Sequence, residues 1–152
     1  MNYSFDITLK TRTIFKSFLE TFNLEQLNKK PEGFNNTIFW NIKHVVVTQQ
    51  LLVYGLSGLP MLLSEAEIEA FRKGSKAEVK ATQKEVDELK KQLFSTIEQT
   101  EKDYKAEKFK TYTNYTVSTK STLTNIDEAL EFNNFHEGIH LGYILAMKKI
   151  VL

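Results

Sequence analysis

Apolar residues recur at intervals of three and four along most of the chain. Ile7, Thr11, Ile14, Phe15, Phe18, Leu19 and Phe22 trace one stripe, which predicts an amphipathic helix from about residue 5 to 23. A connector over residues 24–33 holds Pro31 and Gly33, both helix breakers. Asn35, Asn36 and Thr37 follow, side chains suited to accept from the open N–H groups at a helix start. The next segment, TIFWNIKHVVVTQQLLVYG, is apolar on most sides, as expected of a helix enclosed by others; it runs to about Tyr54 and stops near Gly55 and Gly58. From Ser64 to Lys108 Glu and Lys dominate, while Val86, Leu89, Leu93, Ile97 and Tyr104 keep an apolar stripe, so a third, more exposed helix is predicted there. Its opposing charges, such as Glu98 and Lys102, read as a solvated face, and the stripe is too short to define a coiled coil.

Residues 109–122 are β-branched and aromatic without a helical period, the pattern of an extended crossing loop or a short strand. Thr124 with Asp127 then starts a last helix, whose buried face is predicted to comprise Ile126, Ala129, Leu130, Ile139, Tyr143, Ile144 and Met147. The fold class that follows is all-α: a four-helix bundle with a long connection before the last helix, formed by residues 1–152 as one domain.

With 152 residues and 41% apolar content, the chain can bury a core without covalent staples. It has no cysteine, which excludes disulfides, thiolate metal sites and a cysteine nucleophile, and fits the cytoplasm. Neither a signal peptide nor an apolar run of membrane-spanning length is legible, so a soluble, unprocessed protein with no membrane partner is expected. Basic and acidic residues nearly balance at a formal net charge of +1, with no block of like charge, and no nucleic-acid partner is expected. A Gly-rich phosphate loop is also absent.

The candidate chemistry lies in the three histidines. His136 and His140 are one helical turn apart and rise from the same face of the last helix, within reach of a shared metal ion. Their string also fits H-E-x-x-H, the zinc metalloprotease pattern, but LGYILAMKKIVL beyond His140 holds no histidine or carboxylate to complete such a site. A third ligand must come from earlier in the chain. His44 sits in the most apolar helix, where an unpaired imidazole would be costly; a hydrogen-bonded core histidine is the ordinary alternative. Thr37, Asn41 and Thr48 share its face, and Asn133 lies one turn before His136, which together suggest a polar-lined cavity around the histidines.

Two segments carry a resemblance to a known family. Asn36-Thr37-Ile38-Phe39-Trp40-Asn41-Ile42-Lys43-His44 resembles the N-[ST]-I-x-W-x-x-x-H start of the second helix in the DinB-like, or YfiT/DinB, superfamily of metal-dependent enzymes. His136-Glu137-Gly138-Ile139-His140-Leu141-Gly142 resembles its H-x-x-x-H-x-G run on the fourth helix. The resemblance implies a bundle, often a homodimer, in which His44, His136 and His140 bind a divalent metal ion such as zinc or nickel. Many relatives carry glutamine where this chain has Tyr143, so it implies a substrate pocket of different character around the same ligands.

Three imidazoles leave a coordination position open, as in a catalytic site. Relatives of this fold include transferases that join a low-molecular-weight thiol to an electrophile, so the resemblance implies a small-molecule substrate such as a thiol. A metal-dependent hydrolase, a non-catalytic metal- or ligand-binding module and a purely structural metal clamp are the alternatives. Glu137 is the one nearby carboxylate that offers a general base; as a neighbour of a ligand it can equally point away, as a solvated helix glutamate.

Overall fold

Helix starts are set by side chains that accept from open backbone N–H groups, and they divide the chain more finely than its apolar stripes do. In the computed structural model, which describes residues 2–152, helix α1 spans Asn2–Thr21 and a short α2 spans Leu24–Asn28, capped by Asn23. Thr37 caps α3, Ile38–Gln50, which continues through one wider π-helical turn over Leu51–Gly55.

The predicted third helix is two helices. Ser64 and Glu67 form a capping box that starts α4, Glu65–Phe71, and Thr82 and Glu85 form another that starts α5, Gln83–Lys105. Helix α4 ends where Arg72 turns extended, and Gly74 beyond it takes φ +90°, a left-handed conformation that glycine adopts freely. Strands β1 (Tyr115–Thr116) and β2 (Thr122–Leu123) make a small antiparallel hairpin inside the predicted crossing segment. Asn125 then caps α6, Ile126–Val151.

Helices α1 and α3 each pack against both α5 and α6, giving a four-helix bundle with α1 and α3 on one diagonal. The core interleaves Phe15, Leu19 and Phe22 with Ile42, Val46, Leu89, Leu93, Ile144 and Met147. Each such side chain contributes about 1.5–3 kcal/mol on burial. Helix α3 is covered on nearly every side, because α2 and α4 close the flanks that the long helices leave open.

Two predicted faces are rotated. On α1 the inward side is Phe5, Thr8, Arg12, Phe15, Phe18 and Leu19, whereas Ile7 and Ile14 are 36% and 42% exposed. The polar Thr8 and Arg12 turn inward because partners await them inside. On α6 Ala129, Leu130, Ile144 and Met147 are buried as expected, but Ile139 and Tyr143 lie outside, at 40% and 53% exposure. Among the described residues no helix is long and apolar enough to cross a membrane.

Candidate metal centre

The enclosed helix α3 and the last helix α6 bring His44, His136 and His140 together. Their ring centroids lie 5.1, 4.8 and 4.6 Å apart, and the ring planes meet at 59°, 58° and 56°, close to a threefold arrangement about a common point. One ligand nitrogen from each lies within 4.8 Å of the others.

Hydrogen bonds behind two of the rings decide which nitrogen faces that point. His44 Nδ1 lies 2.6 Å from the carbonyl oxygen of Phe71; a carbonyl only accepts, so Nδ1 carries the proton and Nε2 keeps its lone pair. Thr48 Oγ1 stands 3.3 Å from that Nε2. His140 Nδ1 lies 2.8 Å from Asn41 Oδ1, and Asn41 is itself oriented by donating from Nδ2 to the Thr37 carbonyl at 2.8 Å. His140 Nε2 is thereby left as a lone-pair donor, the backing that metal-binding histidines usually have. Trp40 stacks flat on His44, with centroids 4.5 Å apart and planes at 11°, and holds the ring from its other side.

All three rings are neutral near pH 7. Burial pushes His136 down to about 3, helped by repulsion from His140 and His44. It brings His140 down to about 4, again with repulsion from His44. His44 is lowered by burial too, against the opposing pull of its bond to Phe71. His136 Nδ1 is buried without any hydrogen-bond partner, a state that costs roughly 1–3 kcal/mol. Converging neutral imidazoles and an unpartnered buried nitrogen fit a divalent cation.

The same three side chains line a cavity of about 520 Å³, walled by Leu51, Leu52, Leu56, Val117 and Phe132 and edged by Arg72, Lys73, Tyr115 and Ser118. Among the described residues no aspartate or glutamate lines it. Were an ion held by the three imidazoles, water or a ligand would be free to complete its coordination.

Of the other residues singled out in the sequence, Asn41 and Thr48 hydrogen-bond to the histidines, Thr37 backs Asn41, and Glu137, Asn133 and Tyr143 make no hydrogen bond to them. Glu137 is fully buried on a different side of α6, where its Oε1 accepts from Arg12 Nη2 at 2.9 Å and Nε at 3.2 Å. The reason is rotational: the next residue on a helix points about 100° away, so a neighbour of a ligand need not share its face. It is thus neither beside the ion position nor a solvated glutamate. Asn133, one turn before Glu137, donates to the same Oε1 at 2.9 Å and does not line the cavity. Tyr143 stands outside, its ring 6.2 Å from His140 and edge-on to Phe34. The Phe71 carbonyl and the cations Arg72 and Lys73 escaped notice because they follow a helix end that a single long helix would have hidden. Arg12 did carry a signal, an arginine in register with Phe5, Phe15 and Leu19.

The family model described as the DinB superfamily matches residues 8–144, a span that holds the histidines and reaches into all four bundle helices. No curated protein matches the sequence. By that family match, in agreement with the helical fold, the chain belongs to the DinB superfamily.

Proposed function

We propose that the protein is a metal-dependent enzyme that transfers a low-molecular-weight thiol to an electrophile, with His44, His136 and His140 as ligands of a zinc or nickel ion. One observation carries this reading: three neutral histidines converge on a cavity that no carboxylate lines. A divalent ion there supplies a Lewis acid that lowers the pKa of a thiol or water at the open position. A hydrolase of the usual kind also needs a base beside its water, and Glu137 is committed to Arg12. A thiol needs no such base: its proton leaves to solvent, its sulfur forms the new bond to carbon, and the leaving group departs with the old bonding pair.

Asn41 and the Phe71 carbonyl hold two rings in the ligating tautomer, and the apolar walls exclude water from the electrophile. A homodimer belongs to the same reading, with Phe135, Ile139 and Ile150 exposed along α6 as its uncharged face, and sedimentation at several concentrations tests it. The function is tested on untagged protein, assayed for metal by elemental analysis and then incubated, metal-loaded, with a panel of thiols and alkylating electrophiles. Turnover that disappears in His44→Ala and His140→Ala is the expected result. Stoichiometric metal without turnover across the panel would instead mark a binding module.

A further inference from the structure

The edge of the cavity differs in kind from its walls. Arg72 and Lys73 stand there, with no acidic residue among the lining side chains to match them. Arg72 is partly neutralised by Glu69, at 2.6 Å. Among the described residues Lys73 has no ion pair; its ammonium donates only to Ser118 Oγ, at 2.8 Å, in the turn of the β hairpin. A cation held at a cavity edge by a neutral hydroxyl keeps most of its charge available to a ligand, and apolar walls strengthen that charge by lowering the local dielectric.

The covalent chain ties this charge to the histidine cluster. Phe71 gives its carbonyl to His44, the next two residues are Arg72 and Lys73, and Gly74 then turns the backbone away. A ligand filling the cavity meets His44, His136 and His140, the leucine and phenylalanine walls, and the ammonium of Lys73.

We propose that the cavity takes a small organic anion with an apolar body, whose charged group is held by Lys73 with Arg72 beside it. This names the substrate class for the metal chemistry above and rests on that reading for the fate of the reacting end. The apolar body fits against Leu52, Leu56 and Phe132, and a carboxylate, sulfonate or phosphate group accepts from Lys73 and, in turn, from Ser118.

The test uses the full chain freed of metal with EDTA, titrated calorimetrically with octanesulfonate, 1-octanol and octyltrimethylammonium below their aggregation concentrations. Octanesulfonate is expected to bind at least about ten-fold more tightly than the alcohol, the scale of one good charged contact. In Lys73→Met the preference should fall to within about two-fold, and in Lys73→Glu the cationic probe should overtake the anionic one. Lys73 is exposed, so its variants should melt with the wild type. Equal binding of sulfonate and alcohol, binding of neither, or a preference surviving in Lys73→Met would overturn the proposal. No turnover is read and no metal is present, so failure here is distinct from failure of the thiol-transfer reading.

Discussion

Two polar clusters flank the same turn of α6, and they handle burial in opposite ways. On one side, Arg12 and Glu137 are both fully buried, and Arg12 also donates to the Leu93 carbonyl and to Thr96 Oγ1 at 3.0 and 2.8 Å. Opposite charges and hydrogen bonds from α1, α5 and α6 meet most of each other's needs. On the other side, three histidines that burial keeps neutral face one another with lone pairs and no acid between them. One cluster is closed as to charge and ties helices together, although Glu137 Oε2 and Asn133 Oδ1 have no hydrogen-bond partner; the other carries no charge pair and is left open on its inner face. A buried charge paired within the chain explains stability, whereas converging neutral ligand atoms with no acid or donor between them point to something absent from the chain.

The strongest way to break this contrast is to remove one side of the closed cluster. Arg12→Met strands the Glu137 carboxylate and should cost about 3–5 kcal/mol in urea denaturation. The double replacement Arg12→Met with Glu137→Leu should recover most of that loss and keep the wild-type metal content. A single-variant cost under about 1 kcal/mol would mean that the pair holds nothing together.

The open cluster should respond to cation rather than to chain. Saturating zinc or nickel at about 100 times its Kd should stabilise the wild type by about 2.7 kcal/mol, and His140→Ala should abolish the shift in thermal melts. Unchanged melting on metal addition, with metal demonstrably bound, would dismiss a structural clamp between α3 and α6. Asn41→Ala sharpens the picture further, since it frees the His140 ring: metal affinity measured by chelator competition should fall about 10–100-fold, while the metal-free protein loses only the roughly 1–3 kcal/mol of a stranded buried hydrogen-bonding group.

The smallest effect concerns charge alone. Glu67 ties α4 to Lys43 of α3 and Gln92 of α5. Although burial acts to raise its pKa, hydrogen bonds from Lys43, Gln92 and the Ser64 backbone bring the carboxyl down to about 2. A depressed folded-state value means the stabilisation is complete above about 4.5 and lost as pH falls toward about 2. Screening at this partly exposed group leaves roughly 1 kcal/mol. Comparing urea midpoints at pH 6 and pH 3 should reveal a loss in the wild type that exceeds the loss in Glu67→Gln by about that amount, since Asp103 and Glu128, also held low, contribute equally to both.

The two clusters were not equally legible in the sequence. Three histidines in a cysteine-free chain, two of them a turn apart and the third in an enclosed helix, are a local signal that survives folding. The Arg12–Glu137 pair joins residues at opposite ends of the chain, and spacing along α6 says which side chains share a face without saying what lies across from them. Asn133 was misassigned for that reason: it aligns with Glu137, four residues on, rather than with His136. The division of α4 from α5 was written in Ser64-x-x-Glu67 and Thr82-x-x-Glu85, but continuous charge between them masks the break. On α1 apolar spacing alone put Ile7 and Ile14 inside, because it gives no weight to an arginine whose partners lie elsewhere.

The support behind His44 is main chain, not side chain. A carbonyl is present whatever amino acid occupies position 71, so point substitutions there leave the acceptor in place. What can displace it is a change of length: one residue gained or lost within Glu65–Phe71 would swing the oxygen about 100° around the helix axis. In lineages diverging from this chain the support of His44 therefore constrains the spacing of α4 and not the identity of residue 71, which answers instead to the packing of its ring against Phe39.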